Sequence, residues 1–126
     1  MNTAEWFTTA TPEQAQRLAE AWPGVPEDQD EVTAMLLDIA REQVISFAPD
    51  DAFERTVVYP FLRADHNKPA SRLVYAQLQQ AINLWNAGNV SSAGEIGPEG
   101  YSFTPRPLDK TIRGIIRPTT GVAHVF

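Results

Sequence analysis

The sequence predicts an all-α protein, a small helical bundle followed by a glycine-rich hinge and an extended C-terminal arm. Three stretches between residues 11 and 88 place apolar side chains three and four residues apart, the spacing of a helix with one buried face. Beyond residue 88 this spacing stops and glycine and proline become frequent. We therefore expect an N-terminal extension over residues 1–10, a helical body over 11–88, and a hinge and arm over 89–126.

The first helix is predicted in the stretch TPEQAQRLAEAWPG. Thr11 suits the N-cap, Pro12 suits the first helical position, and Gln14 stands where a capping box needs it. Leu18 and Trp22 lie four residues apart on one face, and the Pro-Gly pair that follows ends the helix.

The second helix is predicted in PEDQDEVTAMLLDIAREQVISFAP. Asp28 or Asp30 starts it, since carboxylates are stabilised at the positive end of a helix, and Pro49 ends it. The positions that predict its buried face are Val32, Met35, Leu36, Ile39, Ala40, Val44 and Phe47.

The third helix is predicted in ASRLVYAQLQQAINLWNAG. Pro69, near its start, is tolerated there, and Gly88 fits the position just after its end. The residues expected on its buried face are Val74, Leu78, Ala81, Ile82 and Trp85.

The stretch DDAFERTVVYPFLRADHNKP gives conflicting signals. Val57, Val58 and Tyr59 favour a strand, but Pro60 interrupts the run. The Asp-Asp pair at its beginning could instead cap a short helix. We expect a short helical turn followed by an irregular loop.

The stretch LDKTIRGIIRP predicts a short last helix with Asp109 as its cap and Pro118 as its stop. Either its apolar face meets a neighbouring protein or it folds back onto the body. The residues of that face are Leu108, Ile112, Ile115 and Ile116. Flexibility before it is assigned to the hinge glycines Gly88, Gly94 and Gly97.

Enzymatic chemistry is poorly represented, and we expect no catalysis, metal or cofactor. The chain has no cysteine, and its two histidines, His66 and His124, are 58 positions apart. Asp65 precedes His66, but no nucleophile motif or metal-ligand spacing accompanies the pair. Asp50, Asp51 and Glu54 are explained better as a helix start than as a cation site.

Charge argues against a protein that grips nucleic acid. The formal net charge is −6, and residues 1–94 hold six basic against thirteen acidic side chains. A small helical transcription regulator or antitoxin-like module remains an alternative. The third helix carries polar side chains suited to base edges, namely Gln77, Gln79, Gln80, Asn83 and Asn86. We expect neither a signal peptide nor a membrane span.

From LVYAQLQQAINLWNAG through the glycine-rich loop to FTPRPLDKTIRGIIRPTTGVAHVF, the chain resembles the head-to-tail connector (adaptor) proteins of tailed phages, in the version found in phages of actinobacteria. The shared features are the helix ending L-W-N-A, the P-L-D turn, the I-I-R-P step and the terminal G-V-x-x-V tail. The resemblance covers residues 73–126, and the stretch from Asp50 to Pro69 departs from it.

The resemblance implies a structural virion protein at the neck, made in the bacterial cytoplasm. Such adaptors form a twelve-fold ring beneath the portal and join the DNA-filled capsid to the stopper and tail proteins. DNA would pass through without specific binding, which suits an acidic chain. We expect the arm to bind the portal or a neighbouring subunit. Its contact residues would be Arg113, Ile115, Ile116, Arg117, Pro118, Val122, Val125 and Phe126.

Overall fold

The computed structural model describes residues 4–26, 28–91 and 105–118. Within these ranges a pair of strands comes between the second and third of four α-helices. The fold is therefore α+β, and the all-α prediction is wrong. In chain order the elements are α1 (Pro12–Ala21), α2 (Asp30–Phe47), a 3-10 turn (Asp50–Ala52), β1 (Phe53–Val58), β2 (Phe61–Pro69), α3 (Ser71–Ser91) and α4 (Lys110–Ile116).

The error lies in residues 50–69, where the sequence predicts a helical turn and an irregular loop. The turn is present, but the expected loop is an antiparallel β-hairpin. A proline interrupts a strand only where its nitrogen would have donated a hydrogen bond to the neighbouring strand. Here it lies in the two-residue connection Tyr59-Pro60, and Val58 pairs with Phe61 across it. The proline therefore marks the turn of the hairpin and costs no ladder hydrogen bond.

The prediction for α1 is confirmed. The Thr11 hydroxyl accepts a hydrogen bond from the Gln14 N–H at 3.2 Å, and Pro12 occupies the first position. The Gln14 side chain bonds Glu5 and Arg17, so one half of the capping box is formed.

The bounds predicted for α2 are also confirmed, since it begins at Asp30 and ends before Pro49. Its buried face differs from the prediction at three positions, one of which is Thr33, buried although it is polar. Met35 is 39% exposed, whereas Leu37 is buried among side chains of α1 and α3. The apolar side chain at position 35 therefore belongs to the surface of the helix.

α3 is the central helix and packs against both α2 and α4. Of its predicted buried face, Val74, Leu78 and Ala81 are buried and Ile82 and Trp85 are half-buried. Because two sides of the helix are covered, Leu73, Ala76 and Leu84 are buried as well. The predicted end at Gly88 is wrong, since the helix continues to Ser91 with Gly88 buried inside it. A helical glycine costs only about 1 kcal/mol relative to alanine, which packing can offset.

The N-terminal segment, residues 4–9, lies against this body. Trp6 is buried in the same core cluster as Phe53 and Leu73. The Phe7 N–H donates to the Gln77 side-chain oxygen at 2.8 Å. The Gln77 amide in turn donates to the carbonyls of Phe7 at 3.0 Å and Leu37 at 3.1 Å. One buried glutamine thereby joins the N-terminal segment, α2 and α3.

α4 folds back onto the body, which decides between the two predicted placements of its apolar face. Leu108, Ile112 and Ile116 are all buried in the chain's own core. Asp109 caps the helix as predicted, accepting from the Ile112 N–H at 2.8 Å. Gln80 secures the preceding residues by donating to the Arg106 carbonyl at 2.9 Å.

Candidate interaction surface at the hairpin tip

The hairpin is attached to the body at its base. The Ala70 N–H donates to the Ala52 carbonyl at 2.8 Å, and the Ala4 N–H donates to the Pro69 carbonyl at 2.9 Å. The Trp6 indole N–H donates to the His66 carbonyl at 2.6 Å. A two-stranded hairpin is only marginally stable alone, so these bonds hold it in place.

Phe53 adds an apolar anchor to the same base. It is 2% exposed, and its ring centroid lies 4.7 Å from that of His66. Between Phe53 and Arg55 the register shifts, because Phe53 pairs with Pro69 whereas Arg55 pairs with Ala64. β2 therefore has extra residues at this point, and the pairing from Arg55 to Val58 is regular.

Beyond the base the hairpin projects into solvent, and we call residues 55–63 the hairpin tip. Five large apolar side chains in this short segment are exposed. Monomeric proteins rarely expose such a continuous apolar group unless it meets a partner. The exposed fractions are 69% for Val57, 51% for Val58, 91% for Tyr59, 58% for Phe61 and 58% for Leu62.

The register divides the tip into two similar faces. Val58 pairs with Phe61, and Val57 pairs with Leu62. Because directly opposed side chains share a face and successive ones alternate, each pair lies on its own side of the hairpin. Each side of the tip therefore carries a large apolar pair, so neither side is wholly polar.

Two arginines flank these apolar side chains. The guanidinium carbon of Arg63 lies 5.7 Å from the Phe61 ring centroid, within cation–π range. Among the described residues the single ion pair joins Lys68 and Glu54, at 3.5 Å, so neither Arg55 nor Arg63 is paired with a carboxylate. Aromatic residues and arginine are the types enriched in protein interfaces.

The residues predicted to bind a partner through the arm are partly at the surface. Ile116 is fully buried and Ile115 is half-buried against the same core. Arg113 and Pro118 are exposed. Arg117 lies over the Phe47 ring at 5.0 Å, and its Nε donates to the Phe47 carbonyl. Val122, Val125 and Phe126 lie outside the described residues.

Arg113 borders an open groove of about 380 Å³ between the end of α2 and the segment before α4. Its guanidinium donates to the Leu108 carbonyl at 3.3 Å. Of the predicted hinge glycines, Gly88 lies inside α3, and Gly94 and Gly97 fall outside the described residues.

Three of the five polar residues of α3 proposed to read DNA bases are engaged within the chain, whereas Gln79 is half-buried and Asn86 is exposed. Gln77 and Gln80 are buried and hydrogen-bonded to backbone carbonyls. The Asn83 amide donates to the Asp109 carboxylate at 3.2 Å. Because α3 is the central helix, Gln77 and Gln80 face the core and are not available to a groove of DNA.

Asp65, on β2, serves local structure. Asp65 accepts from the Thr56 hydroxyl at 3.3 Å and from the Asn67 N–H at 3.0 Å. Within residues 4–26, 28–91 and 105–118, no three histidine, aspartate or glutamate side chains form a group that could hold a metal ion. No helix in this part of the chain is long and apolar enough to cross a membrane.

One feature of the sequence marks the hairpin tip, and it does not depend on hydrophobic periodicity. Between Arg55 and Arg63 the run T-V-V-Y-P-F-L holds no charge and places a proline between two β-forming pairs.

Comparisons with family models, with curated proteins and with solved structures found no match.

Proposed function

We propose that this chain is a structural assembly protein that docks on other proteins through its hairpin tip, and that the assembly is the head-to-tail junction of a tailed phage. The observation that carries the proposal is the row of five exposed apolar side chains on a hairpin projecting from a well-packed body. Because these side chains stay exposed in the folded chain, burying them against a partner would favour association.

The size of this driving force favours a repeated contact. Burying the exposed two-thirds of five such side chains supplies about 5–10 kcal/mol, taking about 1.5–3 kcal/mol for each complete side chain. Association costs about 4–15 kcal/mol in lost rigid-body freedom. One tip alone therefore binds weakly, whereas many tips in one assembly bind firmly through effective concentration. A multi-copy structural protein meets this condition.

The phage junction is the specific form that we favour, because residues 73–126 resemble phage adaptors and the chain is acidic. An acidic protein beside a DNA channel repels phosphates and lets the genome pass. Arg113 and Pro118 are exposed near the end of the described chain and supply a second contact region. The partners would be the portal, a stopper or tail-completion protein, and further copies of this chain.

Genetic complementation tests this proposal. We expect the encoding phage, deprived of this gene, to accumulate DNA-filled heads separated from tails, and a wild-type copy to restore tailed particles. The double variant Val58→Asp/Phe61→Asp should fail to restore them, whereas Ala19→Asp, at an exposed position of α1, should succeed. Tailed particles formed without the chain would refute the proposal.

The regulator alternative has a separate test. A regulator binds duplex DNA with an affinity that falls steeply with salt. We expect no measurable binding of this chain to duplex DNA at physiological salt in a fluorescence anisotropy titration. Salt-dependent binding that is lost in Asn86→Ala would favour the regulator.

A further inference from the structure

The hairpin tip is basic as well as apolar. Residues 55–63 carry Arg55 and Arg63 and no acidic side chain, although the chain as a whole has a formal charge of −6. Neither arginine has a carboxylate partner within the described residues. A surface that complements the tip must therefore combine carboxylates with an apolar centre.

The exposed face of α2 has this composition. Glu31, Met35, Asp38 and Glu42 follow one another at spacings of four, three and four residues, which places them on one side of the helix. All four are exposed, and the buried residues of α2, such as Leu36 and Ala40, lie on other sides. We call this set the acidic face of α2. In this line Met35 lies between Glu31 and Asp38, and Glu42 follows one turn further on.

The two surfaces also match in length. From Glu31 to Glu42 the helix rises about 16 Å at 1.5 Å per residue. From Arg55 to Tyr59 the strand extends about 13 Å at 3.3 Å per residue. Arg63 lies on the same face of the hairpin as Val58 and Phe61, whereas Arg55 lies on the other face. A tip that lays the Phe61 face along α2 can therefore cover Met35 and bring Arg63 to a carboxylate. Arg41, half-buried at the side of the acidic face, does not interrupt the line of carboxylates.

We propose that the hairpin tip of one copy docks on the acidic face of α2 in a second copy of this chain. The inference rests on the proposed assembly function and names the partner of its docking surface. Arg63 pairs with a carboxylate of the second copy, Val58 and Phe61 cover its Met35, and Arg55 on the other face adds to the positive charge of the tip. Methionine suits such a contact because its flexible side chain adapts to aromatic and aliphatic neighbours.

The contact joins two different surfaces of the chain, the hairpin tip and the acidic face of α2, so it can be repeated from copy to copy. Each copy that receives a tip still has its own tip to offer, which is the condition for a closed ring or an open filament. A lipid surface is the less favoured occupant. Only two arginines attract anionic headgroups, whereas the rest of the acidic chain is repelled by them.

Cysteine cross-linking of the full chain tests the contact directly, because the natural sequence has no cysteine. In the variant Met35→Cys/Tyr59→Cys, mild oxidation should give a ladder of covalent dimers, trimers and larger species. The matched control Ala19→Cys/Tyr59→Cys places the first cysteine on α1, outside the acidic face, and should give dimers at most. A missing ladder, or an equal ladder in the control, overturns the proposal.

Charge reversal gives a second test that does not depend on cysteine reactivity. The tip variant Arg55→Glu/Arg63→Glu and the face variant Asp38→Arg/Glu42→Arg each make tip and face repel, so each alone should lose the ladder in the cysteine background. Mixing the two should restore it, since each tip then meets a face of opposite charge. Failure of the mixture to restore the ladder overturns the proposal.

The outcomes also separate this inference from the proposed function. If cross-linking fails but the tip variant Val58→Asp/Phe61→Asp still abolishes tailed particles, the tip docks on a different protein and only the second-copy proposal is wrong. Flotation of the chain with anionic vesicles, lost in the tip variant and without a ladder, would assign the tip to a membrane. Tailed particles formed without the chain would remove the assembly function itself.

Discussion

Val58 and Phe61 lie directly opposite each other across the hairpin, and more than half of each side chain is exposed. A cross-strand pair normally contributes about 0.2–1 kcal/mol to a sheet, so this pair adds little to the stability of the fold. The pair can therefore be changed with little effect on folding, and its exposed apolar surface serves association.

The first prediction follows from this pair. Val58→Thr/Phe61→Thr keeps β-forming side chains and should change the free energy of unfolding by less than about 1 kcal/mol. Phe53→Ala, at the buried base of the same hairpin, should cost about 3–5 kcal/mol. Urea denaturation followed by circular dichroism measures both. A large loss in the threonine variant would show that the tip belongs to the folding core.

A second prediction concerns the Gln77 side chain, which bonds the backbone of Phe7 and Leu37. Gln77→Ala leaves these buried groups without their partner and should destabilise the chain by about 2–3 kcal/mol. Gln16→Ala, at an exposed position of α1, is the matched control and should change stability by less than about 0.5 kcal/mol. Equal effects in the two variants would contradict the assigned role of Gln77.

The placement of α4 gives a third prediction. Ile116 is fully buried, so Ile116→Ala should cost about 2–4 kcal/mol. Ile115→Ala should cost clearly less, because Ile115 is half-buried. Chemical denaturation of the two variants checks the order. A neutral Ile116→Ala variant would mean that α4 is detached from the body in solution.

The cap of α4 gives a fourth prediction. Asp109 accepts hydrogen bonds from the Ile112 N–H and from the Asn83 amide. Asp109→Ala should lower the free energy of unfolding by about 1 kcal/mol, whereas Asp109→Asn keeps a capping oxygen and should cost less. Hydrogen exchange at the amide of Ile112 should quicken in the alanine variant. Unchanged exchange there would refute the cap.

Local signals in the sequence located the helices. Thr11 caps α1 and Asp109 caps α4 as expected, and prolines follow the ends of α2 and α4. Caps and breakers act on the backbone within four residues, so they can be identified without knowing what the helix packs against. Gly88 shows the limit of this reasoning, because packing carries α3 past it to Ser91.

The hairpin tip was much harder to predict from the sequence. The pairing of Val57 with Leu62 is decided by the turn between the strands, and neither strand shows the alternation of a half-buried sheet. Pro60 marks a broken strand or a hairpin turn equally well. A run of apolar residues also predicts burial, whereas here the body covers only Phe53 at the root of β1.

The helical segments, the N-caps of α1 and α4 and the acidic charge of the chain could be predicted from the sequence, because these depend on neighbouring residues and on composition. Only the tertiary structure decided which apolar side chains are used for folding. It buried Ile116 and Leu37, and it left Met35, Val58 and Phe61 in solvent. The reason is physical, since burial depends on which elements meet in space, and that depends on residues far apart in the chain.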